Sequence, residues 1–152
     1  MNNPPKSVKL YNVLFPFWML LLFPQVWLIV VPGNFIIDSI VFLLSMAALK
    51  ITDKKQWYWR HIWKIFPFGM VSDLIGAAYM LFLTMVFEVG QMGDEWYLTL
   101  PALCISGALI FVFNYFITFR RTEAVLRRKF SLILAIVTAP YTFLIPSSWL
   151  YG

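Results

Sequence analysis

IFPFGMVSDLIGAAYMLFLTMVF, residues 65–87, is almost wholly apolar and carries one acid, Asp73, in its first half. A helix needs about 20 such residues to cross the hydrocarbon core of a bilayer. An ionisable side chain inside such a segment is costly against lipid, so it is expected to face protein or water and counts as a functional candidate. Gly69, Asp73 and Ala77 recur every four residues and share a helix face, with Ser72 and Gly76 forming a small-xxx-small pair beside them. Small residues let a second helix approach closely. Asp73 is therefore expected on a packing face.

The composition of the whole chain agrees with that stretch. Of 152 residues, 61% are hydrophobic and 12% charged, about half the charged share of an ordinary soluble domain. Mean hydropathy is +0.78. The expectation is one all-α domain over residues 1–152, a polytopic integral membrane helical bundle in the bacterial plasma membrane. The net charge of +5 is no sign of nucleic acid, because the basic residues are dispersed among short connections where topology accounts for them. A single cysteine, Cys104, excludes an intramolecular disulfide and a CxxC-type zinc site. No metal and no cofactor are expected. No cleavable signal peptide is expected either, since no A-x-A-like site separates the first two hydrophobic segments.

Five spans follow in order, at about 12–31, 35–51, 65–87, 98–119 and 130–146, after a polar tail over residues 1–11. Pro24 is expected to kink the first, with Gln25 beside it serving the freed backbone. Pro32-Gly33-Asn34 reads as a tight turn, with Asn34 capping the second span, so that the first two spans form a hairpin. Asp38 then falls near the start of the second helix, where the macrodipole favours an acid or where it would mark the mouth of a polar path. Residues 50–64, KITDKKQWYWRHIWK, read as a basic, tryptophan-rich interfacial segment, with His61 an interfacial polar residue. Pro67 is expected near the start of the third span, and an acidic loop with Glu88, Asp94 and Glu95 follows it. Thr99 is expected to cap the fourth span. Along that span Cys104, Gly107, Phe111, Asn114, Thr118 and Arg121 make a polar-and-small stripe expected to be buried. The last segment is short and contains Pro140. It is expected to span with a kink at residues 138–140, or to be re-entrant, leaving four spans.

With the N-terminus in the cytoplasm and five crossings, all twelve lysines and arginines lie inside, in residues 1–11, 50–64 and 120–129. The outer side then carries only acids. This bias implies an N-terminus in and a C-terminus out, and a basic inner face that attracts anionic lipids. The fifth span rests on its length and its flanking aromatics alone.

At about 1.5 Å per residue, Asp73 and Asn114 come to similar depths on neighbouring antiparallel spans and are expected to meet. Arg120 or Arg121 could bend toward Asp73. Gln25 and Asp38 would form a second, outer polar level. The expected function is a small transporter or channel-like protein that uses intramembrane carboxylates for a cation or proton path. It would be completed by a homo-oligomer or a partner membrane protein, since one small chain has little room for a lumen. The alternatives are a non-catalytic accessory or assembly subunit, and a membrane-embedded enzyme acting on lipid headgroups. No HExxH, GxSxG or phosphate-loop motif supports the enzyme, and no catalytic residue is assigned.

Overall fold

A computed structural model of the chain describes residues 23–87 and 96–144. The expected N-terminal tail, the beginning of the first segment, the acids Glu88, Asp94 and Glu95, and the last residues with Trp149 and Tyr151 lie outside the described residues. Among the described residues the fold is helical throughout: α1 (Pro24–Ala48), α2 (Lys54–Phe87), α3 (Trp96–Phe113) continued by a π-helical turn (Asn114–Thr118), α4 (Ala124–Val137) and a 3₁₀ turn (Tyr141–Leu144). Three of these helices are long and apolar enough to cross a membrane, over Pro24–Ala48, Lys54–Leu83 and Thr99–Thr118. Their outward surfaces are apolar as well, with Leu28, Ile29, Phe82, Met85 and Phe116 among the most exposed side chains.

The largest departure from expectation is α1. Pro32-Gly33-Asn34 is no turn; the helix runs straight through it. A proline inside a helix removes one ladder hydrogen bond, here to the carbonyl of Leu28, whereas a turn would free several backbone groups. Where water is scarce the first cost is the smaller. Asn34 does not cap a helix. Its Nδ2 donates to Met70 Sδ on α2 at 3.3 Å. Pro24 likewise does not kink a helix but opens one, at a position where its missing N–H would have no partner anyway. Gln25 consequently stands exposed in the first turn.

The C-terminus of α1 closes in a Schellman arrangement: Ile51 N donates to Met46 O at 3.0 Å and Lys50 N to Ala47 O at 3.2 Å. Lys50 holds the left-handed position, φ 55°, that glycine usually takes. Ile51 packs back onto the cluster that contains Met46. After this short connection α2 begins at Lys54, well before the expected start at residue 65. Residues 54–64 are thus its first turns and not an element separate from the third span, and Pro67 sits in the helix interior. At 34 residues α2 is about 51 Å long and exceeds a bilayer core of roughly 30 Å.

The core has two centres. At the basic end Phe42, Ile65, Phe119, Phe130 and Leu134 form a buried cluster, with Phe42 edge-on to Phe130 and Phe119 stacked on Phe130. His61 is buried in this cluster, not held at the protein surface, and stacks on Phe119, while its Nδ1 pairs with Trp57 O at 2.8 Å. Toward the other end Ala77, Met80, Ala102 and Phe143 form the second cluster. Gly76 makes it possible. A Cβ there would collide with Ser106 Oγ and stand 2.8 Å from Phe143 Cε2. Ser106 Oγ in turn donates to Ser72 O at 2.9 Å, so α3 packs closely on the small-xxx-small pair of α2.

α4 starts at Ala124, before the expected 130, and breaks at the expected kink. Pro140 cannot supply the N–H that would bond Ile136 O, and the Tyr141 hydroxyl donates to that carbonyl instead. Thr138 caps the break, its N and Oγ1 both donating to Leu134 O. Beyond the break the chain keeps climbing, because Phe130 packs at the level of His61 while Phe143 packs at the level of Gly76 and Ala77. α4 has only 14 residues, about 21 Å of helix. The break and the 3₁₀ turn, which rises faster per residue, carry the chain onward.

Candidate functional site

Asp73 lies on the face of α2 expected for it, 8% exposed. Its companion is Asp38, 6% exposed, in the middle of α1 and far from the helix start. The continuous helix is what carries Asp38 to this depth. Gly69, one turn before Asp73, leaves the room: a Cβ at Gly69 would stand 3.2 Å from Asp38 Oδ2. Asp38 and Asp73 are close enough for one charge to act on the other. Asp73 Oδ1 is buried and accepts no hydrogen bond. Among the described residues, no lysine or arginine is paired with either carboxylate.

Both acids line one cavity of about 510 Å³. One wall is the α1 stripe Val26, Ile29, Val30, Gly33, Asn34, Ile37 and Asp38, which recurs at three-four spacing and so requires the helix to be unbroken. The second wall is Gly69 and Asp73 of α2. The third is the broken end of α4, from Val137 to Thr142. The wall is therefore apolar except at the paired carboxylates, Asn34 and the hydroxyls of Thr138, Tyr141 and Thr142. Carboxylates at depth with no neighbouring cation can hold a cation or exchange a proton. Among the described residues no group of three or more His, Cys, Asp or Glu side chains could hold a metal ion.

The other expected site residues fall elsewhere. Asn114 does not meet Asp73. Its Nδ2 donates to Ile110 O in its own helix at 2.9 Å, and its Oδ1 is buried and unpaired. Gln25 does not form an outer polar level with Asp38, because one lies at the start of α1 and the other deep within it. Arg120 and Arg121 do not reach toward Asp73 but line a second cavity, at the basic end. The α3 stripe is buried at Asn114 and Thr118 but exposed at Cys104 and Arg121. The buried positions are instead Thr99, Ala102, Ser106, Ile110, Asn114 and Thr118. Thr99 is an interior residue and not a cap, and the π-helical turn changes the register before Arg121.

The sequence does not single out Thr138, Tyr141 and Thr142 as wall residues. Pro140 signals that the helix breaks, but not that the polar groups around the break turn toward α1. No known protein family, curated protein or solved structure matches the chain.

Proposed function

We propose that this protein is a small multi-pass membrane transporter or channel-like protein, in which a cation or proton passes by way of Asp38 and Asp73. The observation that carries the reading is the shared cavity. Two carboxylates from different helices face it, with Asp38 packed over Gly69, one turn before Asp73. Among the described residues, no arginine or lysine neutralises either one. Two like charges this close repel, and a cation or proton between them relieves the repulsion. A pair serving only to glue helices would be expected to hydrogen-bond across the interface, yet Asp73 Oδ1 has no partner.

In this reading the basic end faces the cytoplasm. α1, α2, α3 and the combined segment 124–144 are four passes. The path is completed by a second copy or by another membrane protein. The exposed apolar side of α1, where Leu28 and Leu44 are 82% and 64% exposed, suits such a neighbour. The same surface is what a non-catalytic assembly subunit would use, and flux separates the two. Reconstituted in proteoliposomes, the protein should conduct protons or a monovalent cation, and Asp73→Asn and Asp38→Asn should each abolish that flux while leaving expression and thermal stability nearly unchanged. Absent flux in the parent protein, or loss of stability with flux intact in the variants, would make the pair structural.

A further inference from the structure

The cavity at the basic end holds chemistry that the carboxylate pair does not use. It has a volume of about 650 Å³ and is walled by α2 on one side and by residues 117–126 on the other. Trp57, Arg60, His61 and Lys64 follow helical three-four spacing, so α2 presents both Arg60 and Lys64 to the cavity. From the opposite wall come Arg120 and Arg121, with Glu123 the single acid. Four cations from two separate elements thus converge on one space.

Two further features point the same way. Thr118 lines this cavity, is 5% exposed, and its Oγ1 is buried without a hydrogen-bond partner. The cavity also adjoins the start of α4, where the N-cap Glu123 makes no side-chain capping bond and the first turn that follows holds no acid. Uncapped N–H groups and the positive end of the helix dipole favour an anion. Arginine forks match the oxygens of phosphate, and a hydroxyl can donate to one more.

We propose that this cavity binds a phosphate group: Arg60, Lys64, Arg120 and Arg121 surround it, and the Thr118 hydroxyl donates to one of its oxygens. A lipid headgroup and a soluble phosphate compound share that chemistry. The apolar flanks of the cavity, Ile117 and Leu126, suit a headgroup whose chains run along the bundle. A simple basic belt on the membrane surface would instead attract anions through every lysine alike. Lys54 and Lys55 belong to the same basic end but line a different surface, beside Asp53, and serve as the internal control.

The test uses the full-length protein in a zwitterionic detergent, with binding of dioctanoyl phosphatidic acid followed by native mass spectrometry and by thermal shift. Saturable binding of the lipid, with dioctanoyl phosphatidylcholine failing to bind, is expected. The double variant Arg120→Gln, Arg121→Gln should weaken binding severalfold or more, as should Lys64→Gln, whereas Lys54→Gln, Lys55→Gln should leave it nearly unchanged. These side chains are exposed, so the variants should fold, and an unchanged melting temperature without lipid checks that. Thr118→Val should weaken binding with no charge removed. Competition by pyrophosphate would assign the site to phosphate itself, and its failure to compete would assign it to the lipid headgroup. Equal losses from the two pairs of variants, or no saturable binding of either probe, would overturn the proposal.

Discussion

The two cavities are alike in size, about 510 and 650 Å³, and opposite in charge. The acidic one is built from helix faces deep in the bundle. Its two carboxylates face one space because Asp38 packs over Gly69, one turn before Asp73, and α1 does not turn at Pro32. The basic one is built from long, exposed side chains at a helix start and a connection, where little in the backbone needs to be special. A deep charged site depends on backbone placement. A surface site depends on the number of flexible cations within reach.

That contrast can be broken in order of expected effect. Asp73→Asn should abolish flux, measured in proteoliposomes, and should leave the melting temperature within the small range that one interhelical polar group contributes, about 1 kcal/mol. Gly76→Leu should do the reverse, since its new side chain must displace Ser106 and Phe143; overpacking of this kind costs about 1–3 kcal/mol or more, readable as a lowered melting temperature in detergent. Gly69→Ala lies between them. A methyl 3.2 Å from Asp38 Oδ2 requires a shift of only a few tenths of an ångström, so stability should fall by less than about 1 kcal/mol while flux changes measurably.

Salt sharpens the comparison further. Raising ionic strength from about 0.1 to 1 M shortens the screening length from about 10 to 3 Å. Phosphate binding at the exposed basic cavity should weaken strongly, and the difference in flux between the parent protein and Asp73→Asn should persist. At the α1 C-terminus the expected effect is on stability alone. Lys50→Gly relieves a left-handed residue and should stabilise the fold by about 1 kcal/mol, less whatever the lysine charge contributes at that helix end.

Part of the site is legible in the order of residues alone. Asp73, Gly69 and the Ser72–Gly76 pair are readable from their four-residue spacing, because a helix repeats its faces every 3.6 residues whatever surrounds it. The break at Pro140 is readable because the proline lacks an N–H in every context. The partner of Asp73 is not. Asn114 sits at a suitable depth, but depth says nothing of which way a side chain turns around the helix axis. The π-helical turn at Asn114–Thr118 also alters the register that regular spacing assumes. Arg120 and Arg121 escape prediction for a related reason: their long side chains can bend toward several targets, and spacing does not choose among them.

By itself the sequence determined the class of the protein, a chain of helices long and apolar enough to cross a membrane, the gathering of cations in a few short stretches, and the packing faces of α2. Those properties are sums or short-range repeats, and each residue contributes to them regardless of its distant neighbours. Only the tertiary structure decided that Pro32-Gly33-Asn34 stays helical, that Asp38 is carried to Asp73, and that the broken end of α4 closes the wall around them. A proline or glycine sets what a backbone can do. Which option is taken depends on the helices packed against it, here through Asn34 on Met70, Asp38 over Gly69, and Tyr141 on the carbonyl that Pro140 leaves free.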